Sequence, residues 1–214
     1  YGISKDKVQV IYNWGHEELK AHSEQDNVFL KKYPKKPGEF RVVYAGNLGK
    51  MQNVELILET AALMKEDEDV SFYIVGGGVN AEQLKTFAKE KELNNVTFVG
   101  MQPPEEVADL YAAADVNVIP LQKGLIYAAL PSKTADCLIA GKPIITCVDE
   151  ESIFSKTVND SGYQNVAPTS EQSLKEAIQR CRGYKQSNKW SSLKRFKMLK
   201  VDCVLQHCLE VERV

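Results

Sequence analysis

The stretch Leu130-Pro131-Ser132-Lys133-Thr134-Ala135-Asp136-Cys137-Leu138-Ile139-Ala140-Gly141-Lys142-Pro143-Ile144-Ile145 decides the fold, because it spells a sharply bounded helix that hands over at once to a buried strand. Proline near the start has a fixed φ and no N–H to satisfy, which suits a first helical turn. Gly141 suits a left-handed stop, and Pro143 blocks any continuation. The predicted helix runs from Leu130 to Ala140 and the strand from Pro143 to Val148. At such a start the first N–H groups lack helical partners and carry the positive end of the dipole, to which Lys133 adds a full charge. The same arrangement serves plain capping, but it also makes a berth for a phosphate. Asp136, four residues on from Ser132, shares its helix face and could receive the hydroxyls of an attached ribose.

Working outward, strand and helix patterns alternate on both sides. Upstream lie a strand at Asp115 to Pro120 and a helix opened by Pro104, with Val107, Leu110, Tyr111 and Ala114 inward. Before them come a strand at Val96 to Val99 ending at Gly100, a helix across Ala81 to Lys91, and a strand at Val70 to Val75 ending in Gly76-Gly77-Gly78. The first unit is an apolar run from Phe40 to Ala45, then Gly46-Asn47-Leu48-Gly49-Lys50, then a helix from Asn53 with Val54, Ile57, Leu58, Ala61 and Ala62 on one face. Downstream follow a weaker helix from Glu151, a strand near Gln164 to Ala167 and a helix from Thr169 to about Cys181. Such alternation specifies an α/β fold with a doubly wound, Rossmann-like, mostly parallel sheet. Ligands of these sheets bind at the carboxyl ends of the strands, which selects the loops Gly46 to Gln52, Gly76 to Gly78, Gly100 to Pro103 and Leu121 to Lys133. A glycine directly after three strands permits close approach of backbone to ligand, or simply turns the chain.

Three parts are predicted. Residues 1–37 hold a short strand at Val8 to Tyr12 and a segment without clear period, ending in the basic Lys31-Lys32-Tyr33-Pro34-Lys35-Lys36-Pro37, read as a linker or surface loop. Residues 38–182 form the nucleotide-binding domain, and residues 183–214 an appended helix. The chain opens on Tyr1, not Met, and looks like a piece of a longer protein. Its 214 residues are 43% hydrophobic with a net charge of -2, which suits a soluble globular core and argues against a nucleic-acid partner. No apolar run is long enough to cross a bilayer, and the expected setting is cytoplasmic. The five cysteines show no paired spacing, so reduced thiols are expected. Cys203, His207 and Cys208 share a helical face, but three candidate ligands without a second cluster are read as core and surface residues, and no metal site is expected.

After the first core strand the chain has Gly46-Asn47-Leu48-Gly49, not Gly-x-Gly-x-x-Gly, and no Gly-Lys-Ser/Thr loop occurs, so dinucleotide binding and NTP hydrolysis are disfavoured. The ordered set Ile11-Tyr12-Asn13-Trp14, Tyr44-Ala45-Gly46-Asn47-Leu48-Gly49, Ile74-Val75-Gly76-Gly77-Gly78, Val96-Thr97-Phe98-Val99-Gly100, Tyr111-Ala112-Ala113-Ala114-Asp115-Val116 and Pro131-Ser132-Lys133 through Ile145 resembles glycosyltransferase family 4. The likeness spans nearly the whole chain and corresponds to the C-terminal, donor-binding half of a GT-B enzyme, of the branch that builds bacterial capsule or O-antigen units from UDP-sugars.

The resemblance implies that Gly46, Asn47, Leu48, Gly49 and Lys50 on one side, and Leu130, Pro131, Ser132 and Lys133 on the other, hold the donor diphosphate. It implies that Asp136 takes the ribose, and that Met101 and Gln102 with the Gly76-Gly77 turn frame the base. It implies a retaining transfer without cofactor or Asp-x-Asp metal, no catalytic residue in this fragment, and an acceptor, lipid-linked or saccharide, bound by a missing N-terminal half that also meets the inner membrane face. Three positions depart from the family: Ala128 replaces the first Glu of its Glu-x7-Glu motif, Asn47 an Arg and Gln52 a Lys. Lys50 and Lys133 are the cations left to offset the leaving diphosphate. Those departures motivate one alternative, a binding module whose transferase site has decayed; a second, a UDP-sugar epimerase on the same scaffold, would need catalytic carboxylates in the cleft, and Ala128 argues against it.

Overall fold

In the computed structural model, which describes residues 21–128, 131–160 and 163–186, six strands form one sheet with the order β3-β2-β1-β4-β5-β6, every pairing parallel. The strands are β1 (Phe40–Ala45), β2 (Val70–Val75), β3 (Val96–Val99), β4 (Val116–Pro120), β5 (Ile144–Cys147) and β6 (Gln164–Val166). The helices are α1 (Val28–Lys32), α2 (Val54–Leu63), α3 (Ala81–Glu90), α4 (Val107–Ala113), α5 (Lys133–Ile139), α6 (Ile153–Asp160) and α7 (Glu171–Gln186). Alternate strand residues feed two cores. Val42, Tyr44, Phe72, Ile74, Val118 and Ile145 pack with α2, α3 and α7, while Val43, Ala45, Val75, Val99 and Ile119 pack with α1, α4 and α5. Burial on both faces explains why the central strands are mostly apolar rather than alternating.

Chain order reverses direction across the sheet between β1 and β4, which opens a crevice at their carboxyl ends. Register aligns the neighbouring ends: Ala45 pairs with Val75 and Val75 with Val99, so Gly46, Gly76 and Gly100 stand in one row. The Gly46 N–H donates to the Val75 carbonyl and the Gly76 N–H to the Val99 carbonyl, each at 2.9 Å.

Two boundaries differ from the sequence reading. The decisive helix starts at Lys133, not Leu130, because the Thr134 N–H and hydroxyl both bond the Pro131 carbonyl and make a turn ahead of the first helical residue. Its end is as expected, with Gly141 in the left-handed region at φ 67. The segment read as linker or surface loop through residue 37 contains α1, and the folded body begins well before residue 38. Asn27 caps α1 through the Leu30 N–H, and Phe29 is fully buried. Beneath it the buried Arg41 guanidinium bonds Glu39 and the Tyr33 carbonyl and lies 4.2 Å from the Tyr73 ring. Val8 to Tyr12, the stretch from Trp190 onward, and Cys203, His207 and Cys208 lie outside the described residues. The described cysteines, Cys137, Cys147 and Cys181, are free and buried.

Asp109 of α4 fastens the incoming segment. Its buried carboxylate accepts from the Val28 N–H, the His22 N–H and the His22 ring. Burial alone would raise its pKa, but those hydrogen bonds prevail and hold it below the usual aspartate value. A depressed folded pKa contributes stability that is present above the unfolded value of about 4 and is lost as pH falls through the folded value. Asp109→Ala is expected to lower unfolding free energy by about 1–3 kcal/mol at neutral pH. Chemical denaturation should also show a smaller further loss below about pH 4 than in the parent chain.

Candidate functional site

Three of the four loops picked out by the sheet rule make a single framework. The Leu48 N–H donates to the Gly77 carbonyl at 2.8 Å, and the Asn80 N–H to the Leu48 carbonyl at 2.9 Å. A Cβ at Gly76 would fall on the Gly46 carbonyl oxygen, and one at Gly78 on the Asn47 side chain and the Leu48 backbone. Both glycines also have positive φ. Loop-on-loop packing therefore requires glycine at both positions, whereas a Cβ at Gly77 would meet nothing within 4 Å. Leu48 is a correction. Its side chain is in the core and both its backbone polar groups are engaged, so it shapes the loop and presents nothing to a ligand. Asn47 and Lys50 are exposed on the same bend. A further link ties this bend to the loop after β4, where the Gln122 N–H donates to the Met51 carbonyl.

Gly46 has a different neighbour. A Cβ there would stand 2.5 Å from Lys133 Nζ, so the missing side chain is the space the ammonium occupies. Lys133 reaches over the end of β1 and sits 4.3 Å from the centroid of the Tyr44 ring. Burial pushes its pKa down from the ordinary lysine value to about 8, with a small opposing effect of Cys137. Cys137 is itself held up at about 12 by burial, so it remains a thiol beside the amine. The sequence placed Lys133 opposite the Gly46 bend, and the structure puts them in contact.

Beside that contact lies a cavity of about 350 Å³. One side is backbone and short side chains of Ala45, Gly46, Asn47, Gly76 and Gly77; the outer rim is Met101 and Gln102. Gln102 turns its amide back onto the Gly100 carbonyl at 2.9 Å. The third wall, Val107, Leu110 and Tyr111 of α4, was legible only as a helix's inward face. Desolvation by burial raises the Tyr111 pKa, with smaller contributions from Cys137 and Asp136, and its hydroxyl bonds Cys137 of α5. Asp136 lies four residues along α5 from the exposed Ser132 and is not in the cavity wall. Six of the positions singled out from sequence line this cavity, namely Gly46, Asn47, Gly76, Gly77, Met101 and Gln102. Lys133 touches its rim at Gly46; Leu130 lies outside the described residues, and Gly49 and Lys50 are not in the wall.

The loop after β4 is held by a small apolar cluster of Leu121, Ile126 and Val148 and by the Gly124 N–H donating to Asp149. It ends in an exposed Ala128, so no acid projects from the position where the resemblance would have one. An Asp-x-Asp spacing does occur, at Asp67-Glu68-Asp69, but it lies at the amino end of β2, where both aspartates bond Arg182 of α7. It belongs to the far end of the sheet. No group of metal-ligating side chains is found among the described residues.

Comparison with known proteins agrees with this architecture. A model of the family described as glycosyl transferases group 1 matches residues 25–190. The chain is 28% identical over 153 residues to the probable glycosyltransferase WbjE of Pseudomonas aeruginosa, covering 71% of this chain and 38% of that protein. It is 28% identical over 148 residues to the putative colanic acid biosynthesis glycosyl transferase WcaI of Escherichia coli, covering 68% and 36%. The chain thus spans well under half the length of these relatives. The crystal structure of Anabaena HepE in complex with UDP and glucose superposes with a TM-score of 0.71 at 19% identity, covering 98% of this chain and 58% of that one. With a doubly wound parallel sheet of the GT-B type and a family match over most of its length, the chain belongs to the group 1 glycosyl transferases.

Proposed function

We propose that this chain is the donor-binding half of a retaining glycosyltransferase that takes a UDP-sugar and serves the assembly of a surface polysaccharide. The observation that carries the reading is the contact of the Lys133 ammonium with the Gly46 bend, beside a cavity large enough for a nucleoside. In this reading the base enters between Met101, Gln102 and the Gly76-Gly77 turn, and the ribose hydroxyls reach Asp136. The diphosphate lies between Gly46 to Lys50 and the Ser132-Lys133 turn. Departure of the nucleoside diphosphate concentrates negative charge on its terminal phosphate, and Lys133 and Lys50 offset it, so the reading invokes neither a metal nor a cofactor. The acceptor, lipid-linked or saccharide, is assigned to the part of the protein beyond this chain. That part would also bring the cytoplasmic donor site to the inner face of the membrane. Among the described residues no helix is long and apolar enough to cross one.

Calorimetric titration tests the reading. UDP and a UDP-sugar are expected to bind with Kd from tens of micromolar to millimolar, or about -4 to -6 kcal/mol. Absence of heat and of chemical-shift change would remove it. A second reading, a nucleotide-sugar module that no longer transfers, is favoured by the exposed Ala128 and by Asn47 and Gln52 in place of cations. Assaying donor hydrolysis with the preceding half restored separates the two.

The pH dependence has a defined sign. Lys133 is pushed down to about 8 when the site is free, and an adjacent diphosphate would return it upward. Affinity for UDP-glucose, whose diphosphate does not titrate in this range, should be flat below neutrality. It should fall about tenfold between pH 7 and pH 9 as binding takes up a proton. A flat profile to about pH 9 would mean that Lys133 does not meet the diphosphate.

A further inference from the structure

The two halves of the diphosphate site share one side chain that neither the sequence motifs nor the family pattern assigns. Tyr44 is 1% exposed and sits one residue before the end of β1, on the face packed with α2. Its hydroxyl donates to the Asn47 carbonyl at 2.7 Å, within the Gly46 to Lys50 bend. Its ring lies under the Lys133 ammonium, 4.3 Å from centroid to Nζ, and Lys133 belongs to a helix on the opposite face of the sheet. The hydroxyl also lies 3.5 Å from where a Gly46 Cβ would be. One rigid phenol therefore bonds the bend through its edge and the lysine through its face. A core phenylalanine would fill the same volume without the first contact, and a leucine without either.

We propose that Tyr44 is the positioning residue of the donor site, holding the Gly46 to Lys50 bend and the Lys133 ammonium at a fixed separation so that a diphosphate meets both at once. This rests on the donor-binding reading above. The free site keeps the ammonium against a ring whose negative face attracts it, in a position that bulk solvent does not stabilise. The groups that face or act on this contact are Cys137 on its own helix, the Tyr111 hydroxyl of α4 that bonds Cys137, Asp136, whose charge acts on Tyr111 and Cys137, Glu55 of α2, whose charge acts on Tyr44, and the Tyr44 ring. Among these the Tyr44 ring is the group seen in face contact with Nζ. The bend is fixed by the same residue. Asn47, which takes the hydroxyl bond on its carbonyl, packs its side chain between Gly78 and Gly49, so movement at Asn47 would be felt on both sides of the loop.

The two contacts separate by substitution. Lys133 is followed by NMR titration of its side chain in the free protein, with the signal assigned by its loss in Lys133→Met, and UDP-glucose affinity is measured by calorimetry on the same samples. Tyr44→Phe keeps the ring: Lys133 should titrate as in the parent, while affinity falls about five- to tenfold through a loosened bend. Tyr44→Leu removes the ring: the Lys133 midpoint should fall by about one pH unit, and affinity should fall further. In a Lys133→Met background Tyr44→Leu should then weaken binding no more than Tyr44→Phe does. An unmoved Lys133 midpoint in Tyr44→Leu overturns the proposal whether or not nucleotide binds, and so does parental affinity in Tyr44→Phe. If Tyr44→Leu does not fold, the Tyr44→Phe pair of measurements decides alone. Failure of the parent chain to bind UDP-glucose would instead remove the donor-binding reading.

Discussion

Lys133→Met is expected to weaken UDP binding by about 10- to 100-fold, the effect of removing a charge-assisted contact to a phosphate. It should do so without loss of stability. The amine is buried against Tyr44 and Gly46 and its pKa is pushed down, so the folded chain gives up free energy to keep it charged, and an apolar side chain of similar length relieves that. Most variants that impair a site also lower Tm; here the expected pair is lost affinity with an unchanged or raised Tm. Calorimetry and thermal unfolding on one preparation check it. Unchanged affinity in Lys133→Met would remove the lysine from the site.

Gly76→Ala is expected to give the largest loss of stability among the site glycines. The new methyl would land on the Gly46 carbonyl oxygen, which is backbone and not a yielding side chain, and φ at 137 is in a region that L-residues avoid. Neither partner can give way without breaking the row of bonds that joins Gly46 to Val75 and Gly76 to Val99. A cost of about 3 kcal/mol or more follows, which for a domain of this size is a fall in Tm of about 10 °C. Gly100→Ala is the control: its Cβ meets nothing within 4 Å and its φ is not positive, so stability should change by less than about 0.5 kcal/mol. Equal Tm for the two variants would contradict the interlocked-loop description.

The contrast between these glycines also marks where sequence reading succeeds and stops. The first strand, Phe40–Ala45, and the next two were legible to the residue, because each is a short run dominated by β-branched and aromatic residues that stops where glycine begins. That the loops after them form one end of the sheet follows from topology alone. What each glycine is for does not: Gly76 and Gly78 serve packing between loops, while Gly46 makes room for a lysine from a helix 87 residues further along. Helix α1 escaped notice because its single fully buried residue, Phe29, sets up no periodicity, and it is held by polar bonds from Asp109 and Arg41 that are distant in sequence. The predicted start at Leu130 gave way to Lys133 because the Thr134 side chain bonds the Pro131 carbonyl, a local competition that a helix pattern does not report. Tyr44 and Tyr111 read as core positions, which they are. Their hydroxyls gain meaning only when the bend and Cys137 are brought to them.

A crystal structure of this chain with UDP tests the central claim most directly. The expected result places the terminal phosphate within about 3 Å of Lys133 Nζ, with its other oxygens toward the Gly46 to Lys50 bend and the base in the cavity beside Met101 and Gln102. UDP bound with its phosphates turned away, and Lys133 still closed against Tyr44 and Gly46, would contradict it.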